Sequence, residues 1–579
     1  MVSLSERHRA LIQFLVLLAV AALVRLVLSA RYYGWEEGDY GNLMMIQEVL
    51  DSRFTWFRST HMPGWYSLGA LARLLESDAR ASALGMTLLF SSVNVAVAAL
   101  LARKLFSPAT GWLVGLWLVC QPEMALYGSS TLRSPVFVSL AFLGMALLIW
   151  GSRDRAFGLT AAAFLVRMEG FFLFYGPALW AWIRDQGHRL RTLAVPLGLL
   201  LGVVIGWQAY ISLVQERCLG VEFDLQDLHR CWGTVFFLGP FGVNLAPDVH
   251  GADQVDLLAW ATQGLGTSWD LLTWTLPRKL GWVVLGLAAL GSLAVWRGHG
   301  RPGARAVVVY AFFALGGWLF EGFLAHHDPN HNLYWVWLLP AIPFVALLAA
   351  GGWNVVDRRL RHGPHVLRPA VFLVVLLAPL PQFAAEAGYQ MERAERWYRP
   401  QLELSRWMEQ SLEPGTGVLV SSIPEVWLKR QPGPLRVYSW WLLPDRVRVS
   451  PEEEMKLAGP GSDLEQQILT RPDTVTWDDR PERVQRLYLD RVGRFLRDEG
   501  IHYLVWFEED WTESLTIAPF LAEGEAVQAG PVTITPVDQT PPIAEGGYGW
   551  ILYVVTTPDD PRRRVPPKYG SGQRGPGWG

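Results

Sequence analysis

Three carboxylates stand within four positions in the segment Tyr32-Tyr33-Gly34-Trp35-Glu36-Glu37-Gly38-Asp39-Tyr40-Gly41-Asn42. They follow an apolar stretch long enough to cross a bilayer, which places them where water meets hydrocarbon. A carboxylate in partly apolar surroundings holds its proton more tightly and can serve as a general base. A solvated acidic turn is the plainer reading. Glu37 or Asp39 also suits the N-cap of a helix starting near Asp39, where Asn42-Leu43-Met44-Met45-Ile46 and Val49-Leu50 follow.

Further along, His61-Met62-Pro63-Gly64-Trp65-Tyr66 opens another apolar helix, with proline in its ordinary place at a helix start. His61 suits a structural or a catalytic role. Arg167-Met168-Glu169-Gly170 interrupts the apolar segment Phe157–Ile183. Charge at membrane depth is costly and implies a polar cavity or an ion pair. A mutual Arg167–Glu169 bridge and a functional role both fit. The last constellation is Glu321, then His326-His327-Asp328-Pro329-Asn330-His331-Asn332-Leu333-Tyr334-Trp335-Val336-Trp337-Leu338-Leu339-Pro340. Three histidines and an aspartate suggest a metal site. Adjacent histidines do not both readily face one ion, however, no HExxH accompanies them, and a polar crown for a phosphate headgroup fits equally well.

The chain that positions these groups has 579 residues, 51% of them hydrophobic and 18% charged, against about 25% charged in soluble domains. Mean hydropathy is +0.20. These values rule out intrinsic disorder and argue against one ordinary soluble domain. The 29 tryptophans fit membrane–water interfaces. A net charge of -3 gives no basic field for nucleic acid. Three cysteines make neither a disulfide scaffold nor a four-cysteine zinc site. There is no CxxC, no P-loop and no GxGxxG in a strand-to-helix context.

Spanning segments are expected at Ala10–Ala30, Arg80–Ala102, Ala109–Tyr127, Ser134–Trp150, Leu193–Val214, Leu280–Trp296, Ala304–Ala325, Leu333–Gly351 and Leu367–Ala387. Phe157–Ile183 is too long for one span and is read as two short helices meeting near Arg167 and Glu169. The total is about eleven membrane helices. Arg25 interrupts the first span, no small-x-small cleavage site is obvious and many spans follow, which argues against a signal peptide. With the N-terminus inside, the inner segments carry 16 basic residues and the short outer loops with their boundaries carry six. Arg278 and Lys279, at an outer helix end, run against that bias. This orientation puts 31–79, 215–277 and everything after about Gly388 outside.

The resulting expectation is an α-helical polytopic membrane protein with a C-terminal extramembrane α/β domain. A transmembrane domain covers 1–387, a periplasmic α/β domain 388–556 and a disordered Pro/Gly/Arg-rich tail 557–579. Strands are expected at Val418–Ser421, Ile501–Phe507, Val532–Pro536 and Trp550–Val555, and a helix at Pro481–Glu499 before the stop at Gly500. Cys218 and Cys231 share the second outer loop, where a disulfide and two buried thiols are both open. Cys120 lies in a span and suits packing.

The order of these features resembles the GT-C superfamily of polyprenyl-phosphate-sugar glycosyltransferases. The likeness is to the branch with protein O-mannosyltransferases, aminoarabinose transferases and lipopolysaccharide-core transferases. Glu36-Glu37-Gly38-Asp39-Tyr40 is similar to that branch's first-loop acidic motif, and His61 to Tyr66 to its His-x-Pro-x-x-Tyr element. Arg167 to Gly170 stands for its Arg-x-Glu, and Tyr334 to Pro340 for its aromatic-Leu-Leu-Pro opening. Glu36 replaces the branch's leading aspartate, and Asp39 stands where that branch usually has a neutral residue. The base is therefore open between the two. The usual Arg-Tyr before Leu-Leu-Pro is replaced by Tyr334-Trp335-Val336-Trp337.

The resemblance implies catalytic carboxylates among Glu36, Glu37 and Asp39. It implies substrate-binding roles for His61, Tyr66, Arg167, Glu169, His326, His327, His331 and Tyr334. It further implies an inner (plasma) membrane protein that moves one sugar, with inversion, from a polyprenyl-phosphate donor to a lipid, glycan or protein acceptor on the periplasmic face. Membrane lipids are the other expected partners, and nucleic acid is not one. No cofactor or metal is called for, because a single lipid phosphate leaves no diphosphate to clamp. The competing readings are a polytopic transporter or flippase, against which no internal repeat is visible and the polar motifs cluster on one face, and a non-catalytic scaffold.

Overall fold

The computed structural model describes residues 6–29, 63–75, 79–167, 257–298, 303–324, 338–420, 435–439, 451–459, 480–507, 525–539 and 550–558, with isolated positions between them. Chain contacts divide it into two units, residues 1–391 and 392–579.

The first unit is a helical bundle. Helix α1 (Glu6–Ser29) buries Gln13, Leu17, Ala21, Arg25 and Ser29, one residue per turn, and exposes Leu11, Leu15, Leu23 and Leu26 on other faces. That is the pattern of a peripheral helix with one stripe on its neighbours and the rest in lipid. After α2 (Pro63–Arg73), α3 (Ala79–Leu105) runs antiparallel to α1. Arg25 Nε donates to Ser91 Oγ at 2.5 Å near one end of the pair, and Arg103 Nη1 to Gln13 Oε1 at 3.2 Å near the other. A capping box at Ser107 and Thr110 starts α4 (Pro108–Cys120).

The expected single span Ala109–Tyr127 is cut. Pro122 disfavours helical geometry in the residue before it, and Gln121 is extended (φ -66, ψ 123). Its side chain then caps the short α5 (Pro122–Tyr127), accepting from Met124 N at 2.7 Å. Helices α6 (Ser134–Ile149) and α7 (Arg153–Val166) form the next antiparallel pair. The expected break near Arg167 is present, and the second half of Phe157–Ile183 lies outside the described residues.

The expected loop 215–277 ends differently from the forecast. From Leu257 to Leu280 the chain is helical: α8 (Leu257–Asp270), a π-helical turn (Leu271–Thr275) and α9 (Leu276–Leu280). Its apolar residues fall at helical spacing, with Leu265, Trp269 and Leu272 exposed on one side, diluted by polar residues below the level that marks a span. At Gly281 (φ 82, ψ 141) it bends by 107° into α10 (Trp282–Trp296). Helices α11 (Ala304–Leu324) and α12 (Ile342–Leu360) follow. The expected span Leu333–Gly351 is shifted, because a turn holding Pro340 precedes α12 and Pro343 sits in its first turn. At the other end Asp357, in the last turn of the helix, accepts Arg368 Nε at 2.5 Å and Arg361 Nη2 at 3.2 Å, tying that turn to the segment that follows. The expected last span Leu367–Ala387 falls within Leu367–Glu392, long and apolar enough to cross a membrane, with a turn at Ala378-Pro379 dividing it into α13 (Leu367–Leu377) and α14 (Leu380–Ser411).

Among the described residues, three helices are long and apolar enough to cross a membrane, and a fourth if the bent pair is one span. Several shorter apolar helices accompany them, and the expected span Leu193–Val214 is described only at 198, 199, 202, 203, 205 and 206, each helical.

The second unit is a six-stranded sheet in the order β2-β1-β3-β6-β5-β4, from β1 (Gly417–Val420), β2 (Arg436–Ser439), β3 (Ile501–Phe507), β4 (Val527–Ala529), β5 (Val532–Gln539) and β6 (Trp550–Thr556). β2, β1 and β3 are parallel; the rest pair antiparallel. Helices α15 (Pro451–Ala458) and α16 (Glu482–Asp498) precede β3, and α16 buries Val492 and Leu496 in a core with Leu504, Val532 and Tyr553. β2 and β4, of four and three residues, were not anticipated.

Helices α10 and α12 approach backbone to backbone. A Cβ on Gly352 would collide with the Leu287 carbonyl oxygen, and one on Gly291 with that of Leu348. Small residues at such a crossing let backbones touch, a main source of helix association in lipid. Gly286, on the same helix as Gly291, faces open space. Gly352→Leu should therefore destabilise the protein by about 1–3 kcal/mol through overpacking, seen as a lower thermal midpoint in detergent, while Gly286→Leu leaves that midpoint in place.

Candidate active site

Of the residues singled out from sequence, Tyr66 and Arg167 are described. Glu36, Glu37, Asp39, His61, Glu169, His326, His327, His331 and Tyr334 lie outside the described residues, as do Cys218 and Cys231. Among the described residues no group of three metal-ligating side chains occurs, and Cys120 is a free thiol.

Arg167 is positioned by the end of α7. The helix stops at Val166, and Arg167 turns extended (φ -146, ψ 137) while its N–H still reaches Ala163 O at 3.0 Å. That turn aims the side chain at the start of α6. Nη1 donates to Ser134 Oγ at 2.6 Å, and the guanidinium lies over the Phe137 ring, 6.0 Å from its centroid. Arg167 is only 8% exposed. Ser134 opens α6 beside Pro135, and Arg133 stands at its N-cap.

The second motif meets this arrangement through backbone. A Cβ on Gly64 would lie 2.8 Å from the Leu165 carbonyl oxygen and 3.2 Å from Val166 N. Only a glycine lets the start of α2 press against the last turn of α7. The buried Trp65 and Tyr66 follow on the same helix. Two motifs far apart in sequence, Pro63 to Tyr66 and Arg167, thus share one end of the bundle.

Two further polar groups at that end were not anticipated as site residues. Arg25 is fully buried, with Nε on Ser91 Oγ, Nη1 on Ala21 O at 3.1 Å and Nη2 on Met124 O at 3.1 Å. Its only sequence signal was a charge inside a span. The other is an ion cluster of Glu123 on α5, Lys279 on α9, and Glu386 and Gln390 on α14. Lys279 Nζ donates to Glu123 Oε1 at 2.8 Å and also to Glu386 Oε1. Gln390 Nε2 donates to the same two oxygens, at 3.1 Å and 3.0 Å. Arg278 Nε reaches Glu386 Oε2 at 2.7 Å and lies over the Tyr389 ring. Glu123, Lys279 and Glu386 are 0%, 1% and 3% exposed. The signal for this cluster was the pair Arg278-Lys279, which runs against the charge bias of the other loops: those two cations have buried partners.

No protein-family model and no curated protein matches the chain. Solved structures do. ArnT from Cupriavidus metallidurans bound to undecaprenyl phosphate is 13% identical, with 93% of this chain and 97% of that chain covered and a TM-score of 0.50. The same protein in the apo state is 14% identical over the same shares, with a TM-score of 0.51. The likeness establishes the fold, an ArnT-like helical membrane architecture with a small sheet domain. It agrees with the GT-C resemblance at the level of fold.

Removing one partner from a buried charged hydrogen bond leaves the other short of its acceptor. Ser134→Ala should destabilise the protein by about 1–3 kcal/mol, lowering the thermal midpoint, and Ser134→Thr, which keeps the hydroxyl, should lower it less.

Proposed function

We propose that the chain is a membrane glycosyltransferase that takes one sugar from a polyprenyl-phosphate donor and passes it to a lipid, glycan or protein hydroxyl on the periplasmic face. The observation that carries this reading is the joining of two of the four expected motifs, Pro63 to Tyr66 and Arg167, at one end of an ArnT-like bundle. An ArnT structure holds undecaprenyl phosphate, which supports a donor of the same chemical class here.

The reaction follows from the residue chemistry. The acceptor oxygen attacks the anomeric carbon from the side opposite the phosphate. The new C–O bond forms as the bond to the phosphate oxygen breaks, so configuration inverts. Glu36 or Asp39 takes the acceptor's proton, with Glu37 beside them. The electron pair leaves on the lipid phosphate, whose growing charge needs fixed donors. Arg167 is the described candidate. His326, His327 and His331 are the others, with His61, Tyr66, Glu169 and Tyr334 shaping the sugar and phosphate subsites. The prenyl tail lies between helices, where apolar surface already faces lipid. Residues 388–556 are the proposed periplasmic α/β domain, and the membrane is the inner (plasma) membrane.

The test is a sugar-transfer assay with purified protein, radiolabelled polyprenyl-phosphate sugars and a membrane acceptor extract. Wild type should transfer label. A Glu36→Ala/Asp39→Ala double variant should lose transfer by at least about a hundredfold, the scale of a missing general base, while keeping its thermal midpoint. Full activity in that variant sinks the assignment of the base. No transfer by folded wild type with any donor sinks the enzyme reading.

A further inference from the structure

The ion cluster at Lys279 closes a ring. Lys279 and Gln390 each donate to Oε1 of both Glu123 and Glu386, so two carboxylates that would otherwise repel share two donors. The outer oxygens are also used: Glu386 Oε2 by Arg278 and Glu123 Oε2 by Gln121 Nε2. Over Glu123, Glu386, Arg278 and Lys279 the charge sums to zero. Such a set is stable as a whole, and removing one member leaves an uncompensated buried charge.

Its members come from three separate elements, α5, α9 and α14, and it lies beside the 107° bend at Gly281. A helix that ends there leaves its last carbonyls without helical partners. The side chains of α14 and of the α5 cap fill those places. Gln382 Nε2 donates to Arg278 O at 2.8 Å and also to Pro277 O at 2.6 Å, which already accepts the Gly281 N–H at 2.8 Å, and Gln121 Nε2 reaches Lys279 O at 3.5 Å.

Two arms lead from this cluster toward the proposed site. Back from the bend, α8 lies on the end of α11: Ser268 Oγ donates to Leu319 O at 2.9 Å, and a Cβ on Gly264 would be 2.6 Å from Phe323 O. Helix α11 ends at Leu324, just before His326 in the chain. Forward from Glu123, α5 leads to Ser134, the acceptor for Arg167.

The geometry points to Glu123, Lys279, Glu386 and Gln390 as positioning residues: a latch that keeps the Gly281 elbow bent and so fixes the elements leading to Arg167 and to His326. Its effect on turnover rests on the glycosyltransferase reading, whereas the bend can be followed without it.

The experiment uses the full chain in lipid nanodiscs. Hydrogen–deuterium exchange is followed over 257–283 in wild type, Lys279→Met, Gln390→Leu and the charge-balanced pair Lys279→Met/Glu123→Gln. Lys279→Met should speed exchange across the elbow by about tenfold or more, with α3 and α4 unmoved. The balanced pair should recover most of that protection. Gln390→Leu leaves every charge in place and should give a smaller rise in the same segment, so it decides the matter should Lys279→Met fail to fold. With a polyprenyl-phosphate sugar as donor, the folded single variants should raise KM by up to about tenfold and keep kcat within about twofold. Loss of folded protein alone does not produce that split. Unchanged exchange in both single variants overturns the latch, whatever the transfer assay reads. Faster exchange with unchanged KM overturns the positioning role. If wild type transfers nothing, the glycosyltransferase reading falls with the positioning role, and exchange still decides the latch.

Discussion

A charge placed inside a helical bundle must bring its partners with it, because neither lipid nor packed side chains can solvate it. This constraint organises one end of the protein. Arg25 on α1 draws in a hydroxyl from α3 and a carbonyl from α5. Arg167 after α7 draws in the hydroxyl that opens α6. Lys279 draws in carboxylates from α5 and α14. Helix α5 has only six residues and is buried throughout, yet it is held from both sides: its backbone by Arg25, its Glu123 side chain by Lys279. A segment that short has no helical stability of its own. It persists because two buried cations need what it offers.

The same constraint explains what could be read from sequence. Apolar length and period are local properties, so α1, α3, α16 and the core strands β3 and β6 stand close to where the residues alone put them. Arg167 as the end of a helix was also legible, because an arginine cannot continue unnoticed through an apolar run. The partners of the charges were not legible. Nothing near Lys279 in the chain names Glu123 or Glu386, which come from distant elements, and the visible trace was a basic pair on the wrong side of a charge rule. The cut at Gln121-Pro122 was written in the proline and hidden by the apolar residues around it. The helix from Leu257 was hidden by its composition, too polar for a span and regular enough for a helix on a bundle edge. β4, at three residues, is shorter than any run that alternation can identify, and β2, at four, sits at that limit.

For the candidate site, the motifs were legible as types and spacing, and their meeting was only in part. That Pro63 to Tyr66 would press on the last turn of α7 depends on Gly64, a residue whose contribution is the absence of a side chain. Sequence reading weights what a side chain can do. Here a missing Cβ, at Gly64 as at Gly291 and Gly352, decides which backbones touch.

The way each cation is satisfied bears on the proposed chemistry. The Lys279 cluster is balanced by its carboxylates. Arg25 is held by two carbonyls and a hydroxyl, and among the described residues it has no carboxylate partner. Neutral acceptors satisfy its hydrogen bonds and leave its charge in place. Such a charge in low-dielectric surroundings acts over a longer range than it would in water. It lies at the end of the bundle where the proposed reaction needs an anionic lipid phosphate to bind and a growing negative charge to leave. A carboxylate beside Arg25 would stabilise the helix equally well and cancel that field. Hydrogen bonding without neutralisation therefore holds α5 in place and leaves the Arg25 charge uncancelled among the described residues.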